Sequence, residues 1–187
     1  MLPEFIINLR ELYSFNYLNL LMEIEITIEQ VSYNNEKQTR ILKACLETWF
    51  KNPKDLNLTA PQMTYPFNFN RWIADSYSKQ NTITFILKKD EWIIGYMSLQ
   101  LQPKNDFIHL FHVFVDRAFR GKGLSKLLVQ HSISYSTKND VPIITLFVNP
   151  NNQLAIKLYE SFGFSDVGYS KTGSLKMQLK INNSKNQ

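Results

Sequence analysis

Between residues 23 and 33 apolar and polar side chains alternate, Ile24, Ile26 and Ile28 followed after a phase shift by Val31 and Tyr33, the period-two pattern of a half-buried strand. The period then lengthens. Ile41, Leu42, Cys45, Leu46 and Trp49 share one face of a helix predicted over 36–51, where Cys45 is a core residue rather than a nucleophile. Three prolines make 52–70 an irregular stretch, with a short helix following over 71–78. Its aromatics (Tyr65, Phe67, Phe69, then Trp72) are expected to line a cleft. Three strands come next, over 82–88, 91–102 and 106–116, the first two joined as a hairpin by the polar Lys89-Asp90 pair. A helix beginning at Leu124 buries Leu124, Leu127, Leu128, His131 and Tyr135, and His131 is read as a satisfied core or boundary histidine. The apolar run 142–148 is a buried strand. Asn149 to Asn152 open a last helix, 152–162, which Gly163 terminates. Two strands, 165–170 and 173–181, close the chain before a polar tail. The strand–helix–strand unit 106–148 predicts a right-handed crossover that makes its two strands parallel neighbours. The fold class is therefore mixed α/β.

The 187 residues suffice for one domain, expected over 23–181. Net charge is +5, without the basic stripe and interleaved aromatics of a nucleic-acid binder. The single cysteine excludes an intramolecular disulfide framework, which fits a reducing cytoplasm. His109, His112 and His131 lack a metal-ligand pattern, so no metal is expected. Residues 1–22 read as neither a signal peptide nor a spanning helix; they are an added docked helix or upstream sequence before Met22. No membrane association is expected.

The chemistry concentrates in FRGKGLSKLL, residues 119–128. Gly121 and Gly123 permit positive φ and close approach of a ligand to the backbone. The N–H groups of a helix starting near Leu124 point into that turn and attract an anion. Arg117, Arg120, Lys122 and Lys126 surround it with no acid between them. A solvated, glycine-capped turn is the plain alternative, and the turn alone does not decide between the two.

Two longer stretches carry a resemblance. VFVDRAFRGKGLS (113–125) and NQLAIKLYESFGF (152–164) are similar to the two motifs of the GNAT acyltransferase superfamily, in the family's order, and the likeness extends over roughly 23–181. The last position of the first motif, glycine or alanine in the family, is Ser125 here; serine is small enough to preserve the backbone approach. The resemblance implies a mostly antiparallel mixed sheet flanked by helices, with two splayed parallel strands at its centre. It implies acetyl-coenzyme A as cosubstrate. The pyrophosphate would lie on Arg120, Gly121, Lys122, Gly123, Leu124, Ser125 and Lys126, the pantetheine arm along Val113, Phe114 and Val115, with Asn152 on the other side. Tyr159 takes the place of the family's general acid. His109 matches a position where some members carry the base, with ordered water as the alternative; strand alternation puts it on one face with Phe111, Val113 and Val115, and His112 on the other. The activity implied is direct acetyl transfer to a primary amine of a small molecule or peptide, by a monomer or homodimer. A non-catalytic coenzyme A-binding module is the alternative. Polycationic acceptors are disfavoured, because 52–80 lacks an acidic wall.

Overall fold

The computed structural model describes residues 26–78, 81–102 and 106–181. The expected N-terminal extension, the first residues of the first strand, the break at 103–105 and the polar tail lie outside them. The elements are β1 (Ile26–Val31), α1 (Glu36–Trp49), α2 (Pro53–Thr59), α3 (Phe69–Ser76), β2 (Thr82–Lys89), β3 (Trp92–Gln102), β4 (Phe107–Val115), a 3-10 turn (Arg117–Phe119), α4 (Leu124–Lys138), β5 (Ile143–Val148), α5 (Gln153–Glu160), β6 (Ser165–Tyr169) and β7 (Leu175–Lys180). They form one seven-stranded sheet in the order β1-β2-β3-β4-β5-β7-β6. Among the described residues only β4 and β5 pair in parallel; the remaining ladders are antiparallel.

Each face of the sheet has its own core. One is mainly aliphatic and packs Leu87, Met97, Leu99, Ile108, Leu110, Ile144, Leu146 and Met177 against Leu128 and Val129 of α4 and Ile156 and Tyr159 of α5. The other is aromatic and packs Trp49, Phe50 and Trp72 of the α1–α3 side against Tyr96 and Phe114. Helix α1 turns Leu42, Leu46 and Trp49 inward, while Ile41, expected on that face, is exposed. In α4 the buried line is Leu128, Val129, Ser132 and Ser136, rotated from the expected one, so Leu127 faces solvent. His131 meets the edge of the Phe85 ring, 4.6 Å away.

Two local expectations are corrected. The stretch 52–70 contains a helix, α2. Asn52 caps it by accepting the Lys54 and Asp55 N–H groups, and Pro53 occupies the first turn, where its missing N–H costs nothing. The aromatics of this region are mostly core: Trp72 is fully buried and Phe67 packs on it, leaving Tyr65 exposed.

The alternation of β4 also breaks. Tyr96 pairs Phe114 while Ser98 pairs Phe111, so two β4 residues oppose Met97 alone. This is a β-bulge, with His112 in the left-handed region at φ 53. The extra residue reverses the phase. Val113 and Val115 belong to the aliphatic side. His109, Phe111 and His112 are on the aromatic side, where the His112 ring stacks on Trp72 at 4.0 Å and Phe111 lies 5.9 Å from Tyr77. The expected sharing of a face by His109 and Val113 therefore does not hold.

Candidate cofactor and acceptor site

The β4–β5 ladder runs from Phe107–Ile143 to Leu110–Leu146 and stops. Beyond it β4 continues to Val115, paired with β3 alone, and β5 reaches Val148, paired with β7. The two parallel strands thus part at Leu110 and Leu146. An edge of backbone along 111–115 is left without a strand partner on the β5 side, and buried backbone groups require one.

The glycine turn follows this free edge in the chain, between the end of β4 and the start of α4. Gly121 and Gly123 have φ values of 78 and 75°, a region that other residues adopt at a cost. A Cβ at either position would meet no atom within 4 Å, so conformation and not crowding requires glycine. Four of the five helices begin on an asparagine whose side chain accepts a first-turn N–H. The exception is α4, which begins on Gly123 without a side-chain cap. Arg120 N–H reaches the Arg117 carbonyl and Lys126 N–H reaches that of Gly123, but the N–H groups of Gly121 to Ser125 have no acceptor among the described residues. Their donors and the helix dipole make a site for an anion.

The cations around the turn divide into two pairs. Asp55, on α2 and nearly fully buried, accepts from Arg117 Nε at 2.7 Å and Arg120 Nη1 at 3.1 Å. Arg120 also donates to the Val115 carbonyl at 2.8 Å and lies over the Phe114 ring. The Arg120 side chain is therefore committed to holding the turn, and Lys122 and Lys126 remain for a ligand. The Lys122 ammonium lies over the Phe119 ring, as does that of Lys89. Asp116 completes the anchorage, accepting the Trp49 indole N–H and the Ala118 N–H. Neither Asp55, within the stretch 52–80, nor Asp116 stands out in the sequence as a support of this turn. The Asn52-Pro53 start of α2 was the signal available, since a helix there faces Asp55 inward.

Asn152 uses its Oδ1 to cap α5, accepting the Ala155 N–H at 3.3 Å. Further along the same helix, the Tyr159 ring packs against Phe164 in the aliphatic core. Its hydroxyl has no hydrogen-bond partner among the described residues, and burial raises its pKa, so it stays protonated. Both readings of this tyrosine, core ring and proton donor, are compatible with that placement.

His109 stands within the paired part of β4, opposite Thr145, with Nδ1 3.0 Å from the threonine hydroxyl. Burial first, then the charge of Lys176, lowers its pKa to about 4. His112 is held by Tyr77, whose hydroxyl lies 2.8 Å from Nδ1 and 3.0 Å from the Ser98 hydroxyl. Burial, and then His109, lower the His112 pKa to about 3. Both rings are neutral near pH 7. The segment after α2 touches the β6–β7 turn, Gln62 Nε2 donating to the Thr172 hydroxyl at 3.3 Å. Among the described residues no group of His, Cys, Asp or Glu could hold a metal ion, and no helix is long and apolar enough to cross a membrane.

Comparison with known proteins agrees with this architecture. The spermidine N-acetyltransferase of Vibrio cholerae, solved in complex with CoA and spermine, superposes with a TM-score of 0.66 at 15% identity, over 83% of this chain and 95% of that one. An N-acetyltransferase from Staphylococcus aureus gives 0.67 at 20% identity, over 84% of this chain and 99% of that one. Such likenesses establish the fold. In sequence, the N-acetylaspartate synthetase of Danio rerio is 31% identical over 83 residues, 44% of this chain and 29% of that protein. An uncharacterised N-acetyltransferase of Methanocaldococcus jannaschii is 33% identical over 78 residues, 42% of this chain and 34% of that protein. The matches thus span well under half of these curated relatives. The model of the Acetyltransferase (GNAT) family matches residues 41–164, the stretch that holds both the bulged strand and the glycine turn, and the chain belongs to that family.

Proposed function

We propose that the protein transfers an acetyl group from acetyl-coenzyme A to a primary amine by direct attack of the amine on the thioester. The observation that carries this reading is the end of the β4–β5 ladder at Leu110–Leu146, with β4 leading on to a turn whose five N–H groups have no partner among the described residues. An extended, amide-bearing molecule with a pyrophosphate at one end suits both features. The N–H groups of Gly121 to Ser125, with Lys122 and Lys126, would hold the pyrophosphate. The free edge of Val113, Phe114 and Val115 would meet the pantetheine amides, and the Asn152 amide nitrogen, not used in capping, is available from the other wall. Bound acetyl-coenzyme A supplies the activated acyl carbon.

The protein's own work is then proton management. The Tyr159 hydroxyl is protonated, without a partner among the described residues, and assigned to donate to the departing sulfur. His109 is neutral and can receive the amine proton through water. Its low basicity makes it a weak acceptor, so removing it should have a smaller effect than removing the Tyr159 hydroxyl. Tyr159→Phe keeps the ring and its packing on Phe164. Thiol release from acetyl-coenzyme A, followed across an amine and peptide panel, should show kcat reduced roughly ten- to a thousandfold, about 1.4–4 kcal/mol of barrier. The KM for acetyl-coenzyme A and the Tm should move little. Wild-type kcat in this variant would refute the acid role. An absence of thiol release from the wild-type protein with every acceptor would refute the transferase reading.

A further inference from the structure

The face of the sheet that carries His109 also bears a charge pattern with consequences for the acceptor. His109 is opposite Thr145, and its ring lies 5.1 Å from Phe147. Thr145 is in turn opposite Gln178, and Phe147 opposite Lys176. By the same alternation Lys180 belongs to this face, while Ile144, Leu146, Leu175 and Met177 point into the aliphatic core. Strands β4, β5 and β7 contain no aspartate or glutamate.

The acids of α2, α3 and β6 are engaged elsewhere. Asp55 is committed to Arg117 and Arg120, and Asp75 is paired with Arg71. Asp166 is opposite Met177, whose side chain belongs to the other face, and it accepts the Gly168 N–H. None of the ion pairs among the described residues includes Lys176.

Its position is as telling as its freedom. Phe147 is the first residue of β5 beyond the last β4–β5 pair, so Lys176, across from it, stands at the mouth of the opening. Thr172, which meets Gln62, precedes it by four residues. Its charge is felt at His109.

We propose that the acceptor is an amine that also carries a carboxylate, and that Lys176 selects it. This rests on the acetyltransferase reading above. An unpaired ammonium at the transfer site repels a polycation, attracts a carboxylate, and favours the neutral, nucleophilic form of an incoming amine. Lys180, opposite Ile143 at the far end of β5, is too distant along the strand to share the role.

The test uses amino acids and short peptides, each paired with its carboxamide, as acceptors in the thiol-release assay. The acid-to-amide ratio of kcat/KM is compared between wild type and variants, which cancels the different basicities of the paired amines. Lys176→Gln should lower the ratio at least tenfold, mainly through the KM of the acid. Lys176→Glu should invert it, Lys176→Arg should preserve it, and Lys180→Gln should leave it unchanged. A ratio unmoved by Lys176→Gln would remove Lys176 from the role. Wild-type turnover of spermidine or of the amides above that of the acids would overturn the acceptor class and leave the transferase reading standing. Acetyl-coenzyme A binding without transfer to any amine would overturn both.

Discussion

The two walls of the cleft are built in opposite ways. In the proposed site the cofactor wall is mainly one run of chain, Val113 to Lys126, and its working groups are chiefly backbone N–H donors, with Lys122 and Lys126 beside them. The proposed acceptor wall takes Gln62 from the segment after α2, His109 and Phe111 from β4, Phe147 from β5, and Thr172 and Lys176 from the last hairpin. Its working groups are side chains. A wall made of backbone can be held to one shape by a few glycines and caps, whatever else the sequence does. A wall made of side chains from four places can change its chemistry with each substitution while the sheet beneath it persists. One wall is suited to an invariant cosubstrate, the other to a variable acceptor.

If that contrast is right, the cofactor wall should fail most completely through its backbone. Gly123→Glu forces a non-glycine residue to φ 75° and sets a carboxylate at the helix start. No atom lies within 4 Å of the new Cβ, so the fold should survive. Coenzyme A affinity by calorimetry should fall at least a hundredfold. Gly123→Ala separates the causes: it keeps the strain, roughly 1–2 kcal/mol, without the charge, and should weaken binding about tenfold. A folded Gly123→Glu protein with full affinity would show that the turn does not hold the pyrophosphate.

A smaller effect is expected from a distant residue on which the cofactor wall depends. Asp55 ties α2 to Arg117 and Arg120 on either side of the turn. Asp55→Asn removes the charge but keeps the shape. Because both arginines are about half exposed, they can regain water, and the stability loss should be on the order of 1–3 kcal/mol rather than that of a fully buried pair. The informative readout is kinetic: KM for acetyl-coenzyme A should rise several-fold with kcat little changed. Equal loss of kcat for all substrates at unchanged KM would mean that Asp55 only stabilises the fold.

The same contrast explains what could be read from the sequence. The element order apart from α2, the parallel pair and the glycine turn were legible because each rests on local rules: period, chain order, and positive φ at glycine. The β4 bulge was not. Nothing in FIHLFHVFV announces that His112 adopts φ 53, because the cause is the register against Tyr96 and Ser98 and the packing of its ring on Trp72. A strict alternation therefore placed Val113 with His109 and His112 with Leu110. The fates of Asp55, Lys176 and the aromatics of 65–72 were hidden for the same reason. Each depends on which distant strand or helix lies opposite.

The buried histidines of the aromatic side offer the subtlest test, because they link the acceptor wall to stability. The folded protein holds His109 at a pKa of about 4 and His112 at about 3, against an ordinary 6.5. Below pH 6.5 the unfolded chain takes up protons that the folded chain refuses. The stabilising contribution is therefore complete above 6.5 and is lost as pH falls toward 4, at up to about 1.4 kcal/mol per pH unit for each histidine. Carboxylates that lose their partners in acid add to the same trend, so the wild-type slope alone is not diagnostic. His112→Gln removes one of the two titrating rings along with its stacking on Trp72. It should lower stability at pH 7.5, where the ring is neutral and packed. It should also flatten the decline between pH 6.5 and 4 relative to wild type, in urea unfolding measured at half-unit steps. A parallel curve, merely displaced downward, would mean that His112 titrates alike in the folded and unfolded chains. The bulge would then hold an ordinary histidine whose only contribution is its packing.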